Sequence, residues 1–349
     1  MDHTRQPLAA LAGRSVAVIG GSRYFGRLLV TELCAAGAEV TVVNRGSAPP
    51  PQGVTHARAD RDDEAALHAA LGERRFDAVV DQVCYTPRQA AVAARVFAGR
   101  TARYVMTSTV EVYAELGRPH GPTLTEDAVD LAAVRIRPEL PWHEPDFLDR
   151  HYGEGKRQAE AVLQAAFASA DSTFTSVRTA HVLGDGDFTG RLAHYTERIA
   201  ARRPILVHPD PQPASFVHAP EIARFLAWTA AAEFTGPVNA AGQGTLTARE
   251  LALAIDPAAI VEVGAPASPF SFERAYAMDT TRAETLGFRF SRTADLLPDL
   301  LSGPAALPDQ LPGPAALPGV LPVPAALPDL PAGRSGADAR HTDLARQKA

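Results

Sequence analysis

The stretch "VAVIGGSRYFG", Val16 to Gly26, is an apolar run that halts at two glycines and resumes with helical spacing in "GRLLVTELCAAG". A run of this shape is a buried strand handing the chain to a helix through a tight turn. Gly20 permits the turn, and Gly26 lets the helix lie close against the strand. Between them, Gly21, Ser22, Arg23, Tyr24 and Phe25 carry the amides of the helix start, which point at a pyrophosphate. The middle glycine of the usual G-x-G-x-x-G pattern is Arg23 here, so the strand–loop–helix context carries the reading rather than the motif alone.

Further along, "EVTVVNR", "RFDAVVDQVC", "RYVMTST" and "FTSVRTAHVLG" read as strands. Helical stretches such as "DEAALHAALGE" and "PRQAAVAARVFAG" separate them. Alternation of this kind predicts an α/β fold, a doubly wound parallel sheet with helices on both faces. Residues 1–184 are expected to form this dinucleotide-binding domain, its sheet completed by strands near 214–242. Residues 185–292 are expected to form mainly a smaller α/β substrate lobe over the carboxyl ends of the strands. From residue 293 the composition changes. "GPAALPDQLP", "GPAALPGVLP" and "VPAALPDLPA" repeat every ten residues, and proline at this density predicts a disordered, low-complexity tail over 293–349.

The chain has 349 residues, 46% of them hydrophobic and 21% charged, which suits a globular protein with a sizeable core. A net charge of −6 offers no basic field for nucleic acid, and no apolar run approaches a bilayer span. Cys34 and Cys84 make no metal-ligand spacing and no disulfide framework, so a cytoplasmic setting without a metal is expected. Of 34 basic side chains only Lys156 and Lys348 are lysines, an arginine bias that suggests a bacterial genome of high GC content.

The second strand ends in Asn44-Arg45, where a site for NAD would present a carboxylate to the ribose 2′-hydroxyl. Arg45, with Arg23 from the glycine loop, suits a 2′-phosphate instead. NADP(H) is therefore the expected cofactor, with NAD(H) as the alternative. Asp60, after the third strand, is the candidate for the adenine amine. Tyr152 and Lys156 stand four apart at the head of the helical "KRQAEAVLQAAFA", on one face of that helix. An ammonium beside a phenol is expected to lower its pKa from near 10 and make it a general acid. A compact ammonium also donates to two ribose hydroxyls, which a planar guanidinium does poorly.

Together these stretches resemble the extended short-chain dehydrogenase/reductase superfamily, of the NAD-dependent epimerase/dehydratase type, over roughly residues 15–290. "GGSRYFG" resembles a "GGTRFIG" loop, and "VMTSTVEVY" the strand bearing a catalytic Ser or Thr. "YGEGK" matches Tyr-x-x-x-Lys, and "SFVHAPEIA" and "VNAAGQGTLTARELA" resemble later family stretches. The resemblance implies a Rossmann fold and a Thr109, Tyr152, Lys156 site. In it Tyr152 is the acid/base, Lys156 holds the nicotinamide ribose, and Thr109 orients the substrate oxygen, with Ser108 its neighbour. Val83 and Cys84 would line the cofactor after the fourth strand, and a homodimer is implied.

The chain also departs from that pattern. Sugar-nucleotide dehydratases carry Thr-Asp-Glu where this chain has Thr109-Val110-Glu111, so the general-acid aspartate is missing. The Asn and Arg that hold a sugar nucleotide's diphosphate are replaced by His181 and Ala214. Arg191, Arg202 and Arg203 of the second lobe are the candidates to take their place. Glu111, His181, Ser108 and Trp142 of "PWHEP" are the candidate substrate contacts. The expected function is an NADP(H)-dependent oxidoreductase acting on a ketone or secondary alcohol of a small, sugar-like or secondary-metabolite substrate. A sugar or nucleotide-sugar epimerase uses the same residues. A dinucleotide-sensing or RNA-binding protein is the alternative outside enzymology.

Overall fold

The computed structural model describes residues 8–114, 123–168 and 171–295. The Pro/Ala repeats lie outside the described residues. Seven parallel strands form the central sheet: β1 (Ser15–Ile19), β2 (Glu39–Asn44), β3 (Thr55–Arg58), β4 (Phe76–Asp81), β5 (Thr101–Thr109), β6 (Thr173–Thr179) and β10 (Gly236–Ala240). Their order is β10-β6-β5-β4-β1-β2-β3. Winding reverses between β1 and β4, and a crevice opens outside the carboxyl ends of the strands at such a point. Val16, Val18, Val79 and Val80 are fully buried, as β-branched residues covered on both faces must be.

Helices α1 (Tyr24–Ala35) and α7 (Ala219–Ala231) pack on one face. On the other lie α2 (Glu64–Leu71), α3 (Pro87–Phe97) and α5 (Tyr152–Ala168), the last preceded by the short α4 (Pro145–Arg150). Each layer has its own apolar cluster. The doubly wound parallel sheet expected from the strand–helix alternation is therefore the observed fold.

The second half also holds β7 (His181–Leu183), β8 (Ile205–Val207), β9 (Ala214–His218), β11 (Thr245–Leu246) and β12 (Val261–Val263). Helices α6 (Arg191–Ala200), α8 (Ala248–Ile255) and α9 (Thr281–Thr285) accompany them. β10 is the outer strand of the main sheet, whereas β9, grouped with that sheet in the sequence reading, pairs with β7 and β11 instead. A strand's sequence reports its burial but not its partner, so this difference is not visible in the chain alone. Among the described residues no helix is long and apolar enough to cross a membrane.

A buried polar chain ties α5 to the sheet. Glu160 accepts from Ser108 Oγ and pairs with Arg178 at 2.8 Å, both side chains fully buried. Arg178 donates to the Tyr113 hydroxyl at 3.0 Å, which donates to Asn239 Oδ1 at 2.7 Å. Every charge in this chain is paired, which is the condition for burying it.

Candidate active site

The glycine loop follows β1, Val83 and Cys84 follow β4, and Thr109 ends β5, so three neighbouring strands deliver their candidates to one edge. Gly20 and Gly21 hold φ of 97° and 77°. Tyr24, at φ 48°, is one of three non-glycine residues in the left-handed region among those described. Ser22 accepts from the Asn44 side-chain amide at 2.7 Å. The Asn44 carbonyl oxygen takes the Gly46 amide at 2.7 Å and has His56 Nε2 at 2.9 Å, so both ends of that side chain are engaged in shaping the turn. Arg23 and Arg45 are exposed, and Arg58 Nε donates to the Arg45 carbonyl at 3.0 Å. Asp60 accepts from the Asp62 amide at 3.0 Å.

Val83 packs against Gly20 and is half-buried. Cys84 is fully buried, and burial pushes its thiol up to about 11. Phe25 stacks edge-on against Tyr24. The buried Gln82 Nε2, beside Gly20 and Gly26, has no partner among the described residues. An open loop of amides with an orphaned donor beside it fits the polar middle of a dinucleotide.

Tyr152 is the first residue of α5, where the positive end of the helix dipole falls. Thr109 stands close enough to its hydroxyl to favour the ionised form. The helix can come this near only because of the two glycines in "YGEGK". A Cβ at Gly153 would overlap the Glu111 carbonyl oxygen, and one at Gly155 would lie 2.5 Å from the Tyr85 carbonyl oxygen. Lys156, one turn on, is 1% exposed and donates to the Thr107 carbonyl at 2.7 Å. Its ammonium sits 4.5 Å from the Tyr85 ring centre and 5.9 Å from that of Tyr152. Burial pulls its pKa from 10.5 down to about 8.

The expected lowering of the Tyr152 phenol is not what the structure shows. Burial and the nearby Glu111 charge push it up to about 12, while the neighbouring Thr109 and the charge of Arg191 oppose the rise. The cause is desolvation, which outweighs an ammonium aimed at the Thr107 carbonyl rather than at the phenol.

Of the candidate substrate contacts, Glu111 lies beside Tyr152 and accepts from Tyr276 at 3.0 Å. Burial raises its pKa. His181 is buried among Phe216, Phe270, Phe272 and Tyr276, stacked on Phe272 at 4.8 Å. Among the described residues its Nε2 has no partner, and burial, with Arg191 adding to it, lowers its pKa to about 3. It is therefore a neutral ring at physiological pH. Ser108 and Trp142 are engaged elsewhere. Side chains alternate along a strand, so Ser108 faces Glu160 while Thr109 faces the site. Trp142 is buried, donates from its indole to the Arg137 carbonyl at 2.8 Å and packs on Gly155, bracing the helix.

Of Arg191, Arg202 and Arg203, the first reaches the site. Its charge acts on Tyr24, Glu111, Tyr152 and His181, and its guanidinium rests 5.1 Å from the Phe270 ring centre. Arg202 and Arg203 are exposed, and Arg202 pairs with Asp256. Sequence reasoning missed Tyr85, Phe272 and Tyr276. Tyr85 directly follows Cys84 and was within reach of the same strand-end argument. Phe272 and Tyr276 sit in "SPFSFERAYAMD", which carries no motif. A cavity of about 380 Å³ lined by Glu126, Asp127 and Arg282 lies beside the outer strand and contains none of these residues.

Comparison with known proteins fits this geometry. The chain is 32% identical over 181 residues to 2'-dehydrokanamycin reductase of Streptomyces kanamyceticus, covering 51% of this chain and 46% of that one. It is 25% identical over 217 residues to the chloroplast stem-loop binding protein of 41 kDa b of Arabidopsis thaliana, covering 57% and 50%. The chain thus spans about half the length of the curated relatives it matches. Among solved structures, UDP-glucose 4-epimerase of Thermotoga maritima, solved with UDP-glucose, superposes with a TM-score of 0.64 at 17% identity, covering 82% of this chain and 97% of that one. WbmG of Bordetella bronchiseptica, solved with NAD, gives 0.64 at 18% identity, covering 83% and 94%. These structures share the fold. The sequence profile of the NAD dependent epimerase/dehydratase family matches residues 16–98 and 88–241, most of the doubly wound domain with its glycine loop and Tyr–Lys pair, and the chain belongs to that family.

Proposed function

We propose that the chain is an NADP(H)-dependent oxidoreductase that reduces a ketone on a small, sugar-like substrate, with Tyr152 as the acid, Thr109 as the orienting hydroxyl and Lys156 as the ribose-holding cation. The observation that carries this reading is the convergence at the carboxyl end of β5, where Thr109 ends the strand beside Tyr152 and Lys156 lies buried one turn behind, its ammonium 5.9 Å from the Tyr152 ring centre. When bound, the nicotinamide supplies the hydride. Tyr152, held protonated across the neutral range, gives its proton to the carbonyl oxygen as negative charge develops there. Thr109 holds that oxygen and the phenol in one line. A phenol that resists ionisation suits the reductive direction better than the oxidative one. The reductase of Streptomyces kanamyceticus supports the same direction by its name.

The absence of a carboxylate at Asn44, with Arg23, Arg45 and Arg58 about it, supports a 2′-phosphate and hence NADP(H). The likeness to a stem-loop binding protein is the argument for the RNA-binding alternative. The intact Tyr152–Lys156 pair and the net charge of −6 favour the enzyme.

The test is a panel of keto-sugars, including 2'-dehydrokanamycin, with NADPH and NADH followed at 340 nm. Stoichiometric NADPH consumption that is lost in Tyr152→Phe supports the reductase. Turnover of a sugar with no net change in cofactor would show an epimerase, and full biological activity of Tyr152→Phe would show a non-catalytic role.

A further inference from the structure

We infer that Glu111 is the receptor for a protonated amine on the substrate ring, so that the site selects an amino-bearing sugar or cyclitol ketone. The inference rests on the reductase reading above and adds a substrate class to it.

Glu111 is a partly buried carboxylate placed by the turn that follows Thr109, and its backbone is clamped by Gly153 of the catalytic helix. That places it near enough to Tyr152 for its charge to act on the phenol. Its amide donates to Thr109 Oγ1 at 3.2 Å, so the residue that orients the substrate oxygen also fixes this carboxylate. One carboxylate oxygen takes the neutral Tyr276 hydroxyl, and among the described residues Glu111 makes no ion pair. Arg191 and Arg274 are close enough for their charge to be felt, but neither closes on it. Arg191 is held by Thr189 at 2.9 Å and by the Phe270 ring, and Arg274 is exposed.

A carboxylate drawn out of water and given a single neutral donor has acceptor capacity left over. It sits in a wall where one partner of matching charge would meet both the other oxygen and the cost of burial. The rest of that wall is aromatic. Phe272 and Tyr276 meet at 4.8 Å, with the neutral His181 stacked behind Phe272. Flat π faces receive the apolar face of a sugar ring and attract an ammonium at its edge. A carboxylate and ring faces beside the reacting carbon form a receptor for an amino sugar. The diphosphate of a sugar nucleotide would be repelled by Glu111.

The experiment compares 2'-dehydrokanamycin with its fully N-acetylated form, using NADPH and the full-length protein. The wild type is expected to favour the free amine by at least tenfold in kcat/KM. In Glu111→Gln that ratio should fall at least tenfold. In Glu273→Gln, an exposed carboxylate on the segment of Phe272 and Tyr276, it should stay as in the wild type. Equal use of both ketones by the wild type, an unchanged ratio in Glu111→Gln, or the same fall in Glu273→Gln would each overturn the inference. Binding of kanamycin and N-acetylated kanamycin to the NADP⁺-loaded protein, measured by calorimetry, needs no turnover. Kanamycin binding that depends on Glu111 in a protein that reduces no ketone would reject the reductase reading and uphold the amine receptor. Ketone reduction indifferent to Glu111 would reject the receptor alone.

Discussion

Replacing Lys156 by methionine is expected to stabilise the fold while it removes the activity. Lys156 is 1% exposed, and among the described residues its one side-chain hydrogen bond goes to the Thr107 carbonyl and no carboxylate pairs with it. Its pKa falls from 10.5 in the unfolded chain to about 8 in the fold. At neutral pH the charged form is then about 3 kcal/mol less favourable in the fold than in water. Methionine fills a similar volume without charge, but it leaves the Thr107 carbonyl short of a partner at a cost of about 1–2 kcal/mol. The net gain is about 1–2 kcal/mol, or a rise in Tm of about 2–8 °C for a domain of this size.

The sign follows from proton binding. Between pH 8 and 10.5 the unfolded chain holds the proton that the fold has released, so wild-type stability rises with pH across that window. Lys156→Met lacks the rise, so its advantage is constant below pH 8 and has gone by pH 10.5. Lys156→Arg keeps a charge that cannot be shed, so it lacks both the gain and the slope. Urea unfolding at neutral pH, pH 9 and pH 10 on all three proteins measures this. A Lys156→Met protein less stable than the wild type by a margin that does not vary with pH would refute the reasoning.

Other outcomes follow from the same structure. His181 has a folded pKa of about 3 against 6.5 unfolded, so its contribution to stability is present above pH 6.5 and is lost as pH falls through about 3. His181→Phe should remove up to about 5 kcal/mol of that acid loss, read from Tm against pH. Arg178→Met leaves Glu160 buried and unpaired and should cost about 3–5 kcal/mol, whereas the double variant with Glu160→Met should cost much less; thermal melts decide. Arg45→Ala should raise KM for NADPH about tenfold and leave that for NADH nearly unchanged, since only the former carries a 2′-phosphate.

The doubly wound sheet was legible because burial on both faces forces continuous apolar strands, and the winding rules leave few ways to arrange them. Val16–Gly26 announces its own turn, since a chain that must bend sharply and pack closely is written in glycine. Tyr152 and Lys156 were legible because a helix fixes the geometry of residues four apart. Ser108 and Thr109 were not separable by adjacency, because it took the pleat of β5 to send one to Glu160 and the other to the phenol. Trp142 looked like a substrate wall and braces a helix, since the sequence gives a side chain's chemistry but not its direction.

What the sequence by itself determined was local: strand, turn, helix and the pair on one helical face, each decided by contacts between near neighbours in the chain. The tertiary structure alone decided which distant groups meet. Tyr276 reaches Glu111 across 165 positions, His181 finds its ring of aromatics, and Lys156 is sealed from water. Those meetings set the charges of the site, because a group's pKa depends on what surrounds it in space and on how much water is left, neither of which the order of residues records.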